Sequence, residues 1–187
     1  MQTTISNLKN FIEQEVTIKG WMHNKRGSGK IMFLQIRDGS GFVQGVVEKS
    51  AVLENIWNIC EDLTIESSCE VVGIVKSDSR SQLGVEILVK EVTLLNKSVD
   101  FPIGKKEHGP EFLFENRDLY LRSKTPWAVL RIRDQVFRSI TNFFHEEGFI
   151  RFDTPILQPT SCEDTTQLFG LKYYEDIMYL TQSCQLY

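Results

Sequence analysis

Short runs of β-branched and other apolar residues alternate with clusters of Gly, Ser and Asp over the first half of the chain. Runs of this length, bounded by turn residues, are typical of β-strands rather than of helices. The pattern predicts five strands, at residues 15–24, 31–38, 41–47, 67–77 and 84–96.

A helix is predicted between the third and the fourth strands. Over residues 51–60 the apolar side chains of Val52, Leu53, Ile56 and Trp57 recur at the spacing of one helix face. Three strands, a helix and two further strands is the order of an OB-fold barrel, which often binds single-stranded nucleic acid. The sequence therefore predicts an all-β OB-fold barrel in the N-terminal half.

The second half is predicted to contain one long helix. Thr125 suits the N-cap and Pro126 the first helical position, because the N–H that proline lacks has no intrahelical partner there. Gly148 is placed to end the helix. The apolar residues of this helix, at spacings of three and four, are Val129, Ile132, Val136, Ile140 and Phe143.

Short strands and connecting segments are predicted around this helix. We expect strands at residues 149–154, ended by Pro155, and at 178–185, with a loop over 158–170 between them. Residues 97–116 contain two prolines and two glycines and no sustained period. This segment is predicted to be a linker or hinge.

Period-two alternation in the second predicted strand separates two faces. Met32, Leu34 and Ile36 are expected in the barrel core, which leaves Phe33 among polar neighbours on the other face. An outward aromatic ring on an OB strand can stack on a nucleobase, a contact that contributes about 1–3 kcal/mol. A partly buried phenylalanine covered by a loop is an equally open interpretation.

Gln44 and a basic segment are further candidates on the barrel. The Gln44 amide offers a donor and an acceptor to a base edge, although a solvated strand glutamine is the commoner case. Residues 19–30 contain four basic side chains and no acid, and much of the segment is expected to be a flexible turn that contacts phosphates or is simply solvated. These basic residues are Lys19, Lys25, Arg26 and Lys30.

Composition excludes several other classes. The four cysteines are scattered and form no CxxC pair, which predicts neither a zinc site nor a disulfide framework. The start lacks a signal-peptide pattern, and no apolar run approaches the roughly 20 residues that span a bilayer. We therefore expect a cytoplasmic protein, and the net charge of −4 argues against coating of nucleic acid by bulk electrostatics.

Taken together, these segments resemble one enzyme family. The stretch WMHNKRGSGKIMFLQIRDGSGFVQGVV resembles the anticodon-binding domain of class IIb aminoacyl-tRNA synthetases, the aspartyl, asparaginyl and lysyl group. The unit ending GFIRFDTPIL resembles motif 1 of class II synthetases, and PTSCEDTTQLFGLKYYEDIMYLTQSCQLY is similar to the asparaginyl branch. The resemblance implies three parts: an anticodon-binding barrel at 1–96, a hinge at 97–116, and at 117–187 the start of an α+β catalytic domain with an incomplete antiparallel sheet.

The resemblance also implies roles for individual residues of the barrel. Arg26 corresponds to a position that meets the tRNA backbone, Phe33 to the stacking aromatic, and Gln44 to the residue that reads the central uridine of the anticodon. Asparagine and aspartate anticodons share that uridine, so this face does not separate the two specificities.

In the second part the resemblance implies an amino acid pocket. Glu163 corresponds to the loop glutamate that pairs with the substrate ammonium, while Ser183 and Gln185 match positions that line the pocket. Pro155 is the closing proline of motif 1, which forms much of a homodimer interface in the family.

The implied reaction is activation of asparagine by ATP with Mg²⁺, followed by transfer to tRNA(Asn). Two alternatives are compatible with the same residues: an aspartyl or nondiscriminating synthetase, and a stand-alone tRNA-binding OB module. A paralogue that makes asparagine from aspartate and ammonia is disfavoured, because such proteins usually lack the anticodon domain. No metal ligand and no catalytic residue is identified in these 187 residues.

The chain by itself is expected not to form aminoacyl-adenylate. The arginines of motifs 2 and 3, which neutralise phosphate charge in this family, have no counterpart among the residues present. ATP–pyrophosphate exchange with asparagine should therefore stay at background for the isolated 187-residue chain. Robust exchange would contradict this expectation.

Overall fold

The computed structural model describes residues 1–104, 106–161 and 167–185. Within it the chain divides into two compact units, Met1–Arg117 and Asp118–Tyr187. The expected division at 1–96, 97–116 and 117–187 stays a prediction. Among the described residues no helix is both long and apolar enough to cross a membrane.

The first unit is a closed five-stranded barrel with the strand order β1-β2-β3-β5-β4. The predicted OB-fold is thus confirmed, including the helix α1 (Glu54–Asp62) between the third and fourth strands. The five strands are β1 (Glu15–Ser28), β2 (Ile31–Arg37), β3 (Phe42–Glu48), β4 (Ser68–Ser77) and β5 (Val85–Asn96).

Alternation along the strands fills the barrel as predicted. Met32, Leu34 and Ile36 are buried in one core cluster, together with side chains from the other four strands. The neighbouring strands approach so closely at one point that only glycine fits, because a Cβ on Gly73 would lie 2.2 Å from the Leu88 carbonyl oxygen. Val46 has the strand parity of Gln44 rather than that of the core residues Val43 and Val47, and its side chain is buried although it lies outside the core cluster.

Two short helices contribute side chains to the barrel core. A 3-10 helix at Ile5–Phe11 inserts Ile5 into the core, and its backbone N–H donates to Asp38 Oδ2 at 2.8 Å. Helix α1 contributes Trp57 and Cys60 to the same core. Burial raises the pKa of the Cys60 thiol to about 12, so this cysteine packs as an apolar side chain rather than as a reactive thiol.

The second unit contains one long helix and a small antiparallel sheet. The sheet has the order β6-β8-β7, with β6 at Leu157–Gln158, β7 at Gly170–Tyr173 and β8 at Asp176–Leu180. Its antiparallel pairings agree with the incomplete antiparallel sheet expected from the sequence. Strand β8 lies earlier than the predicted 178–185, and β7 was not predicted.

Helices in this region differ in detail from the prediction. The short helix α2 (Pro110–Glu115) forms within the segment expected to be irregular. The long helix α3 (Lys124–Glu146) begins after Ser123, so the predicted N-cap at Thr125 is wrong by two residues. Pro126 still lies in the first turn, where a missing N–H costs no helical hydrogen bond. Gly148 follows the helix with φ of 85°, a conformation that glycine adopts readily.

The strand predicted at 149–154 is wrong. All six residues are described and none belongs to a strand. The side chains of Phe149, Ile150 and Phe152 are more than half exposed instead. Their apolar pattern is that of a strand, but no neighbouring strand among the described residues pairs with them, and pairing is what makes an extended segment a strand.

One lysine of the basic segment has a structural role that the sequence did not reveal. Strand β1 continues to Ser28, so most of the expected flexible turn is ordered strand. From this strand the Lys25 ammonium donates to the carbonyl oxygens of Cys60 at 3.0 Å and Leu63 at 2.9 Å, and also to that of Glu61. These carbonyls lie at the C-terminal end of α1, where they lack intrahelical partners and where positive charge is favourable.

Replacement of Lys25 by methionine should loosen α1, because it keeps most of the aliphatic stem and removes three charge-assisted hydrogen bonds. Hydrogen bonds to charged groups contribute about 1.5–3 kcal/mol to stability. The free energy of opening of α1, measured by native-state hydrogen exchange of its amides, should fall by about 1.5–3 kcal/mol.

Lys30→Met is the matched control, since Lys30 is an exposed residue of the β1–β2 turn. It should leave the exchange of α1 unchanged. Equal effects of the two substitutions would contradict the capping role of Lys25.

Candidate functional site

Three residues singled out on the barrel lie together on its outer face. The β1–β2 register pairs Arg26 with Phe33, and the β2–β3 register pairs Gln35 with Gln44. The guanidinium carbon of Arg26 lies 4.9 Å from the centroid of the Phe33 ring. Arg26 Nη2 also donates a hydrogen bond to Gln44 Oε1 at 2.9 Å. Strand pairing therefore brings a cation, an aromatic ring and an amide into direct contact.

The Phe33 ring lies outside the barrel core. It is half-buried and absent from the core cluster, and its exposure is limited by the Arg26 side chain from the neighbouring strand. A guanidinium over an aromatic face is a cation–π contact, worth about 0.5–1 kcal/mol at exposed sites. The ring is thus on the solvent side of the sheet, partly covered by a side chain that can move.

A shallow pocket surrounds these residues. It encloses about 210 Å³ and is lined by Asn24, Arg26, Phe33, Gln35 and Gln44. This volume is smaller than the roughly 300–1,000 Å³ of typical small-molecule pockets, which suits one planar group better than a large ligand. Four of its five lining side chains carry hydrogen-bonding groups, and the fifth offers a ring for stacking.

Glu86 of β5 belongs to the same network, although sequence reasoning did not single it out. Gln44 Nε2 donates to Glu86 Oε2 at 3.2 Å. The contact arises because β3 and β5 are parallel neighbours, with Gly45 opposite Ile87. No short-range sequence signal announces such a pairing between segments about forty residues apart.

Two of the other basic residues, Lys25 and Lys19, are less available than the sequence implied. Lys25 is the cap of α1 described above, and burial lowers the pKa of its ammonium, with the nearby Cys60, Glu61 and Asp62 acting in the opposite direction. Lys19 lies 3.2 Å from Glu70 in an exposed ion pair. Arg26 therefore stands out as the basic residue that reaches the pocket.

The second unit has a separate cavity beside β6 and the residues that follow β8. It encloses about 250 Å³, and both Pro155 and Ser183 contribute to its wall. Thr181 Oγ1 donates to the Pro155 carbonyl oxygen at 2.9 Å, which ties the segment after α3 to the end of β8. The other lining residues are Thr154, Leu157, Gln158, Pro159, Thr160, Thr181 and Cys184.

The two other predicted pocket residues are not brought to this cavity by the described structure. Gln185 is exposed and is not among the lining residues, and its backbone N–H donates to Ser183 Oγ at 3.4 Å. Glu163 lies outside the described residues. The roles of Glu163, Ser183 and Gln185 therefore stay predictions.

Comparison with solved structures gives matches along the whole chain. The asparaginyl-tRNA synthetase of Pyrococcus horikoshii, complexed with asparaginyl-adenylate, is 31% identical and superposes with a TM-score of 0.89. The Entamoeba histolytica asparaginyl-tRNA synthetase is 27% identical with a TM-score of 0.79. A putative aspartyl-tRNA synthetase from Leishmania major, 22% identical with a TM-score of 0.83, shares the fold.

These matches cover 100% of this chain and 44%, 44% and 39% of the respective relatives. The chain thus spans less than half the length of the proteins that it resembles.

Two family models divide the chain between them. Residues 16–95 match the OB-fold nucleic acid binding domain, and residues 109–187 match the class II tRNA synthetases of the D, K and N group. The barrel coincides with the first match, and α3 and the antiparallel sheet lie within the second. The chain belongs to the class II aminoacyl-tRNA synthetase family, in its D, K and N group.

Proposed function

We propose that the chain is part of an asparagine–tRNA ligase and that its barrel binds the anticodon of tRNA(Asn). The observation that carries the proposal is the contact of Arg26, Phe33 and Gln44 around one pocket on the outer face of an OB-fold. Such a face combines the two elements that single-stranded RNA requires, a stacking surface and hydrogen-bonding groups for base edges.

Phe33 provides the stacking surface for one unpaired base. In the free chain the Arg26 guanidinium covers the ring, so a base that stacks on Phe33 has to take its place. Arg26 is exposed and can turn toward the RNA backbone, where guanidinium groups pair well with phosphate. RNA binding then replaces the contact of Arg26 with the Phe33 ring by a contact with phosphate, and the guanidinium is not left unpaired.

Gln44 reads the edge of the same base. Its amide has two N–H donors and two acceptor lone pairs, of which Glu86 and Arg26 use one each. One donor and one acceptor remain for the ligand. A uracil offers the complementary pair, an imino N–H beside a carbonyl oxygen, which supports the assignment of Gln44 to the central uridine.

For the second unit we propose an amino acid pocket that holds asparagine. The similarity to asparaginyl-tRNA synthetases, one of them complexed with asparaginyl-adenylate, supports this substrate over aspartate. Ser183 at the 250 Å³ cavity is one candidate contact, and Glu163 and Gln185 are the other two. An aspartyl or nondiscriminating enzyme is the alternative, distinguished by which amino acid a longer protein containing this chain activates.

ATP and Mg²⁺ are the expected co-substrate and metal of the whole protein. The described part of the chain contains no group of three or more His, Cys, Asp or Glu side chains placed to hold a metal ion. We therefore assign no Mg²⁺ ligand here. We further propose that the whole protein acts in the cytoplasm, the usual location of this family.

A homodimer through α3 completes the proposal. The apolar stripe predicted on this helix lies more than half exposed within the chain, which is unusual for five aligned apolar side chains. Pro155, the candidate closing residue of motif 1, follows in the same unit. The stripe consists of Val129, Ile132, Val136, Ile140 and Phe143.

Phe33→Ala should weaken binding of a tRNA(Asn) anticodon stem–loop. Loss of one base stack removes about 1–3 kcal/mol, so the dissociation constant measured by filter binding should rise about 5- to 150-fold. Circular dichroism should show an unchanged fold, because the ring lies outside the core.

The matched control is Phe114→Ala, since Phe114 is also an exposed ring with an arginine, Arg117, 5.4 Å from its centroid. It lies in the same unit but outside the pocket and should leave affinity unchanged. An unaltered dissociation constant for Phe33→Ala would remove the support for anticodon recognition.

Ile140→Asp should disrupt the proposed dimer, because it places a charge in the apolar stripe of α3. Sedimentation equilibrium should show a dimer for the unmodified chain and a shift to monomer for the variant. Thr141→Asp introduces the same group about 100° further around the helix, outside the apolar stripe, and should leave the dimer intact. A chain that is monomeric at all concentrations would contradict the proposal.

A further inference from the structure

The Gln44 amide is held between one hydrogen-bond donor and one hydrogen-bond acceptor. Its Oε1 accepts from Arg26 Nη2 at 2.9 Å, and its Nε2 donates to Glu86 Oε2 at 3.2 Å. An arginine can only donate hydrogen bonds, and an ionised glutamate can only accept them. If the amide were turned over, its NH₂ group would face the guanidinium and its oxygen would face the carboxylate. Both contacts would then be lost, so the two neighbours fix the polarity of the amide.

The barrel holds Glu86 in the position that this requires. β3 and β5 are parallel neighbours there, and the pairing of Gly45 with Ile87 places Gln44 beside Glu86 on the same face. On its other side Glu86 is paired with Lys76 of β4 through the backbone ladder. Glu86 is half-buried and lies on a strand that is paired on both sides. The carboxylate is therefore held in place beside the Gln44 amide.

The polarity of the amide matters for the choice between pyrimidines. At positions 3 and 4 of the ring, uracil presents an N–H donor and a carbonyl acceptor, whereas cytosine presents an acceptor and an amino donor in the reverse order. A base stacked on Phe33 with its ribose held by the RNA backbone meets Gln44 in one orientation. An amide of one polarity then pairs with uracil, and the turned amide pairs with cytosine.

We propose that Glu86 is a positioning residue that fixes the polarity of the Gln44 amide and thereby makes the pocket select uridine over cytidine. This inference rests on the proposed anticodon-binding function. Glu86 acts through Gln44 and needs no contact of its own with the base. Once Arg26 has turned toward the RNA backbone, Glu86→Gln removes this control, because an amide in place of the carboxylate can either donate or accept and so tolerates both orientations of Gln44.

The test compares two anticodon stem–loops that differ only in a central uridine or cytidine. Dissociation constants for both are measured with the full chain and with Glu86→Gln. The unmodified chain should favour the uridine loop, and the variant should reduce that preference about tenfold, the scale of one well-placed base contact. Glu91→Gln makes the same charge change on an exposed residue of β5 outside the pocket lining and should leave the preference unchanged.

A double substitution separates positioning from direct reading. In a Gln44→Ala background, Glu86→Gln should leave the ratio of the two dissociation constants unaltered, because the amide through which Glu86 acts is gone. A ratio that still changes would mean that Glu86 touches the base itself and would overturn the positioning role.

The remaining outcomes distinguish this inference from the function on which it rests. A wild-type preference for uridine that survives Glu86→Gln, or an equal loss of affinity for both loops, overturns the role of Glu86 and leaves anticodon binding standing. Failure of the unmodified chain to bind either loop overturns the proposed function and this inference with it.

Discussion

The pairing of β3 with β5 is the interaction on which the barrel and its outer face depend. It is short and parallel, running through Gly45 opposite Ile87 and Val46 opposite Leu88, while the other pairs of barrel strands are antiparallel. A Cβ on Gly45 would lie 3.0 Å from Val89, so the absence of a side chain allows this close approach. Without the pairing both strands would carry open edges, and Gln44 would have no glutamate beside it.

In strand β1 a residue that stabilises the fold is directly followed by a residue of the proposed RNA-binding pocket. Because neighbouring side chains point to opposite faces, Lys25 reaches the end of α1 while Arg26 reaches Phe33 and Gln44. The cap fixes the strand against the helix, and the strand in turn fixes the position of the arginine. The pocket is therefore built on paired strands rather than on loops, which restricts the motion of every group in it.

Local periodicity was sufficient for the barrel and for part of its outer face. Alternation in β2 predicted the buried Leu34 and the outward Phe33, because both follow from which face of a strand a residue occupies. The contact of Gln44 with Glu86 could not be predicted in this way, since it depends on a pairing between distant strands. A strand was wrongly predicted at 149–154 for the related reason that a period-two pattern does not supply a partner.

The cavity of the second unit was less predictable than the barrel. Ser183 reaches a cavity wall and Gln185 does not, although they are two residues apart and share the parity of a strand face. Strand β8 ends at Leu180, so the alternation that would align the two residues no longer applies beyond it. The strand predicted at 178–185 is wrong beyond Leu180, because backbone geometry outside regular structure is set by contacts rather than by period.

The engagement of Lys25 with α1 also bears on how the proposed binding to RNA responds to ionic strength. Cations that neutralise phosphates release counterions from the polyanion, and the number released sets the slope of affinity against salt. A lysine whose ammonium is held by three backbone carbonyls adds nothing to that number. The salt slope of this barrel should therefore be shallower than a count of its basic residues implies, with a correspondingly larger share of affinity coming from stacking and base contacts.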